Sequence, residues 1–137
     1  QEAGKPVSSR PNALVLFNPV LDLVGVREVI DDDGKNVTAA ISPLQFVTKH
    51  TVPAIAFFGT ADRLVDPARA YLSKSKTLGC RFELYTAADQ PHGFFNRTPW
   101  QEVTLRQADA FLVTLGYLSG APKPLPAGIT AELKRER

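Results

Sequence analysis

Val52-Pro53-Ala54-Ile55-Ala56-Phe57-Phe58-Gly59-Thr60-Ala61-Asp62-Arg63-Leu64-Val65-Asp66-Pro67 is the stretch that decides the fold. Residues 52–58 form an unbroken apolar run ended by glycine. A run with no polar position at either parity predicts a strand buried on both faces, as in parallel sheets covered by helices. Pro53 is tolerated as an early strand residue. Asp66-Pro67 predicts a helix start, the carboxylate capping free amides and the proline fitting the first turn. Ala68, Tyr71, Leu72 and Leu78 give that helix an apolar stripe, and Gly79 ends it.

The same punctuation recurs on both sides. Upstream, Ala13-Leu14-Val15-Leu16-Phe17 is a second buried run, stopped by Asn18-Pro19. A short helix is predicted from Ser42-Pro43 through Val47, with serine as cap. Downstream, Arg81–Tyr85 predicts a third strand. Thr98-Pro99-Trp100-Gln101 matches a capping box, opening a helix whose apolar positions run from Trp100 to Leu118. Strand, strand, helix, strand, helix is the α/β order and implies a parallel sheet. Residues 1–118 are expected to form one domain; 119–137 are rich in proline and glycine, end in Lys134-Arg135-Glu136-Arg137, and read as a basic C-terminal tail.

Composition narrows the function. The apolar fraction of 44% and charged fraction of 22% belong to a globular chain with a real core. Sixteen basic against fourteen acidic residues leave a net charge of +2, which makes no case for nucleic acid or an anionic surface. No apolar run is long enough to suggest a membrane span. One cysteine, Cys80, excludes an intrachain disulfide, and two histidines without a metal-ligand spacing argue against zinc. The Asp31-Asp32-Asp33-Gly34 run lacks ligands at both ends of a calcium loop and reads as a turn. His50 reads as a surface histidine, and Asp22 as a loop residue without chemistry. The chain begins at Gln1 and holds no methionine, so its natural start is expected further upstream.

Asp62 and His92 carry the chemistry. Each follows the C-terminal end of a buried strand, with one helix between the strands. Such a unit places the strands side by side, roughly 4.8 Å apart, with both loops on one sheet edge. Open α/β sheets place their sites at that edge. A carboxylate bonded to one imidazole nitrogen fixes the tautomer and stabilises the imidazolium, leaving the other nitrogen to take a proton. The plain alternatives are a solvated loop histidine and a turn aspartate.

Phe58-Gly59-Thr60-Ala61-Asp62 followed by Pro91-His92-Gly93-Phe94-Phe95-Asn96, with Asn18-Pro19-Val20-Leu21-Asp22 and Ile41-Ser42-Pro43-Leu44, resembles the esterase/lipase branch of the α/β-hydrolases, including acetyl-esterase-like and feruloyl-esterase-like members. The resemblance spans roughly residues 8 to 118. It implies a partial α/β-hydrolase fold of about three parallel strands, the last three of the family sheet, with flanking helices. It implies further that Asp62 is the triad acid and His92 the triad base, that the substrate is a small-molecule ester, and that no cofactor takes part. The departure is the nucleophile: none of the serines lies in a G-x-S-x-G elbow, so both the elbow and the oxyanion hole are expected upstream of Gln1, and the chain alone is expected to be inactive. The 13–17 strand is then expected to offer an unpaired edge to the missing N-terminal half or to a second copy. A prolyl-oligopeptidase-like peptidase, a cysteine or aspartate nucleophile, and a non-catalytic assembly or binding module stay open. Phe94 and Phe95 line a substrate pocket or pack against the last helix.

Overall fold

The computed structural model describes residues 8–137. Three parallel strands, β1 (Leu14–Phe17), β2 (Ala54–Gly59) and β3 (Phe82–Ala87), stand in sequence order, with Val15 opposite Ile55 and Ile55 opposite Glu83. Helix α1 (Val65–Thr77) connects β2 to β3, and α2 (Trp100–Thr114) follows β3. The parallel order and flanking helices are those the apolar runs imply.

Period-two alternation along β2 explains why that run has no polar parity. Ala54, Ala56 and Phe58 join Ala68, Tyr71 and Leu72 in a core on the α1 side. Ile55 and Phe57 join Tyr85, Ala108 and Phe111 on the α2 side. Both faces are dry, so both parities must be apolar. Phe57 and Phe58 are fully buried, each worth about 1.5–3 kcal/mol relative to exposure.

Several cap residues bond to neighbours other than the helix amides that their positions suggest. The helix begins at Val65 rather than at Asp66-Pro67, and Asp66 does not cap it; its exposed carboxylate pairs with Arg69 at 2.9 Å. Asp62 supplies the acceptors instead, through its carbonyl to the Val65 amide at 3.1 Å and its Oδ1 to the Leu64 amide at 3.0 Å. The Thr98 box is not formed either: the Thr98 hydroxyl donates to Glu102 at 2.8 Å. Helix α2 ends at Thr114, short of Leu118, and Gly116 turns the chain away at φ 76°. The short helix forms as a single 3-10 turn, Pro43–Phe46, with Ser42 at its N-cap position, but the buried Ser42 hydroxyl caps no helix amide; it donates to the Thr38 carbonyl and accepts from the Leu23 amide. Asp31 accepts from the amides of Asp33 and Lys35, closing the turn read there. Phe94 is buried edge-on to Trp100 of α2 and also lines the cleft beside His92, whereas Phe95 packs on Phe17 of β1 with ring centroids 5.0 Å apart.

A fourth strand, β4 (Lys134–Arg135), runs antiparallel to β3, where the sequence suggests only a solvated basic end. Glu136 secures it: its amide donates to the Leu84 carbonyl, and its carboxylate accepts from Thr86 and meets Arg69. Burial alone would push the Glu136 carboxyl up; the Thr86 hydroxyl and Arg69 outweigh it and hold it below the usual glutamate range. β4 covers the β3 edge.

Candidate active site

Three loops leave the C-terminal ends of β1, β2 and β3 on the same sheet edge. The second and third are zipped together by backbone. Gly59, the last residue of β2, is buried, and a Cβ there would lie 1.8 Å from the Gln90 carbonyl oxygen. Only glycine admits that approach, which lets the Ala61 amide reach Gln90 at 3.1 Å while Thr60 bonds to Ala87. The Thr60 hydroxyl accepts the Asp89 amide at 2.8 Å.

This zipper brings Asp62 and His92 together. Asp62 Oδ2 lies 3.0 Å from His92 Nδ1. The Asp62 side chain is 1% exposed and that of His92 62% exposed, so a buried carboxylate holds an imidazole that opens to solvent. A carboxylate only accepts, so neutral His92 carries its proton on Nδ1 and leaves Nε2 with a free lone pair. No hydroxyl or thiol among the described residues bonds to His92. Ser42 and Ser75 are buried elsewhere, and the Cys80 thiol donates to the Thr48 carbonyl. His50 is exposed, and Asp22 accepts the amide of Val24 as an ordinary turn residue.

Asn18 is the member that sequence reasoning missed. Buried at the end of β1, it donates from Nδ2 to Asp62 Oδ2 at 2.6 Å and accepts the Gly93 amide on Oδ1 at 2.9 Å. The signal was present: Asn18 follows a parallel strand at the same edge as Asp62 and His92. Beside this cluster lies a cleft of about 440 Å³ walled by Pro91, His92, Phe94, Arg97 and Trp100. A hollow of about 470 Å³ along residues 24–28 touches neither Asp62 nor His92.

No protein-family model matches the chain, and no curated protein sequence matches it significantly. Solved structures do. The chain superposes on the propionate-bound esterase 2 of Thermogutta terrifontis with TM-score 0.68 and 34% identity, covering 87% of this chain and 48% of that one. The apo form gives 0.68 and 35%, over 82% and 46%. The form phosphorylated by paraoxon gives 0.66 and 34%, over 80% and 42%. The fold is part of an α/β-hydrolase fold. The chain spans less than half the length of these esterase structures, and the resemblance is to carboxylic-ester hydrolases. No helix among the described residues is long and apolar enough to cross a membrane.

Proposed function

We propose that this chain contributes the acid–histidine part of a serine-type carboxylic-ester hydrolase, with Asp62 as triad acid and His92 as triad base. One observation carries the reading: a buried carboxylate 3.0 Å from Nδ1 of an exposed imidazole whose Nε2 is unoccupied by any described residue. His92 Nε2 takes the proton of the nucleophilic hydroxyl as its oxygen adds to the ester carbonyl. Asp62 stabilises the resulting imidazolium, which then protonates the departing alkoxide; a water deprotonated by the same nitrogen releases the acid. On this reading the nucleophile and oxyanion hole are supplied from outside the described residues, none of whose hydroxyls or thiols bonds to His92. The propionate-bound and butyrate-bound forms of the Thermogutta esterase support a short-chain carboxylic ester as the substrate class. An acetyl-esterase-like or feruloyl-esterase-like specificity, or a lipase, is a finer assignment of the same site, and cleavage of peptides in place of esters would move it to the prolyl-oligopeptidase-like reading.

The test is hydrolysis of p-nitrophenyl acetate by this chain alone. Without a serine positioned as nucleophile the covalent step is lost, and without an oxyanion hole its electrostatic stabilisation is lost too. The expected rate is linear in substrate and close to that of free imidazole. Saturable turnover abolished by His92→Ala would mean that a nucleophile lies within the chain.

We further propose that the outer edge of β1 takes a strand from the missing N-terminal half, or from a second copy when that half is absent. β1 is the first strand of the sheet, and its four residues are only half-buried. Unpaired backbone groups there cost about 1–3 kcal/mol each once water is excluded, and open apolar edges recruit partners. Light scattering coupled to size exclusion is expected to show dimers or larger species. A monomer at all concentrations would contradict the edge pairing.

A further inference from the structure

We infer that Asn18 is a positioning residue that fixes Asp62 and the His92 loop with one side-chain amide. The inference rests on the Asp62–His92 reading above and adds a residue to it.

Asp62 Oδ2 receives two donors, Asn18 Nδ2 at 2.6 Å and His92 Nδ1 at 3.0 Å, while Oδ1 receives the Leu64 amide at 3.0 Å. Two protein donors at opposite oxygens stop the carboxylate from rotating about its Cβ–Cγ bond. The remaining acceptor direction of Oδ2 is thereby left aimed at the imidazole. The other end of the same amide holds the residue next to His92: Asn18 Oδ1 accepts the Gly93 amide at 2.9 Å. Only one amide orientation satisfies both ends, because a flipped group would set oxygen against carboxylate and NH2 against N–H.

The choice of residue also has an electrostatic sense. A lysine or arginine donor would offset the charge of Asp62 and weaken its hold on an imidazolium. A neutral amide donates without doing so.

The backbone is bent to serve this contact. Asn18 has φ 45°, in the left-handed region, directly before Pro19. Residues before proline favour extended backbone, and outside glycine the left-handed region suits asparagine best. Its amide nonetheless continues the strand ladder to the Phe57 carbonyl at 3.0 Å. The strand therefore turns immediately after its last bond, and the turn delivers the side chain into the site. Backbone strain of this kind gathers at functional sites.

The test uses the full chain, isotopically labelled, with Asn18→Gly as the decisive variant. Glycine accepts the left-handed backbone and removes the amide, so a residue needed only for the turn is fully replaced by it. The expected result is a folded Asn18→Gly protein in which Gly93 amide exchange accelerates about tenfold or more, the effect of losing one hydrogen bond. The downfield His92 Nδ1–H resonance is expected to broaden away. Retention of both signals in Asn18→Gly overturns the inference and leaves the Asp62–His92 pair standing. Absence of the His92 resonance from the unaltered chain overturns the pair and this inference together. Should Asn18→Gly fail to fold, the unaltered chain decides by itself. Scalar coupling across the hydrogen bond from Asn18 Nδ2 to the Asp62 carboxyl carbon supports the inference, and its absence overturns it.

Discussion

In a polypeptide that also carries the nucleophile, Asp62→Asn will lower kcat by on the order of 10⁴ with the fold intact, the magnitude expected when a triad imidazole is left in the wrong tautomer. The local hydrogen bonding explains why an isosteric change does so much. Three donors converge on the Asp62 carboxylate: His92 Nδ1, Asn18 Nδ2 and the Leu64 amide. An asparagine there has one acceptor oxygen for all three and sets an NH2 against the others. If its oxygen faces Leu64, its NH2 meets both Asn18 and His92, and His92 escapes by moving its proton to Nε2. The nitrogen that must accept the nucleophile's proton is then occupied. His92→Ala removes the base outright, with a loss on the order of 10⁶. Steady-state ester hydrolysis by the completed enzyme reads both effects. Activity of Asp62→Asn within tenfold of the unaltered enzyme would show that Asp62 is not the acid.

Gly59→Ala is expected to produce the largest loss of stability of any single-methyl change at the site. The added carbon would sit 1.8 Å from the Gln90 oxygen and 2.4 Å from its carbonyl carbon, both backbone atoms that no rotamer change can move aside. To admit it, the 88–92 loop must withdraw from β2, losing the Ala61–Gln90 bond and drawing His92 away from Asp62. Overpacking of this severity belongs at or above the upper end of the usual range, about 3 kcal/mol or more. Urea unfolding is expected to show a lower midpoint with an unchanged slope. A midpoint equal to that of the unaltered chain would mean that the two loops are not locked together at Gly59.

What the sequence revealed and what it concealed divide along physical lines. The β2 run was legible because burial on both faces leaves no polar parity, a property of consecutive residues. Asp62 and His92 were legible as neighbours because a strand–helix–strand unit fixes which loops share an edge. Asn18 was not, because its role depends on a left-handed turn before Pro19 and on partners 44 and 75 positions away. The same reason moved the start of α1: Asp66-Pro67 carries the local signature of a cap, but Asp62, held from outside the helix, reaches the free amides first. β4 left no trace, since two exposed basic residues carry no apolar strand pattern and join the sheet through backbone bonds and the pairing of Arg135 with Glu83 on β3. The Glu136 anchor becomes apparent only once Thr86 and Arg69 face it.

The tautomer of neutral His92 reports most directly on the pairing of Asp62 with His92 Nδ1. The ring ¹⁵N shifts of the labelled chain, followed through the histidine titration, distinguish the two nitrogens. The structure requires the proton on Nδ1, held by Asp62 Oδ2, with Nε2 bare and able to accept a proton. A neutral ring protonated at Nε2, with no bonded Nδ1–H, would contradict it.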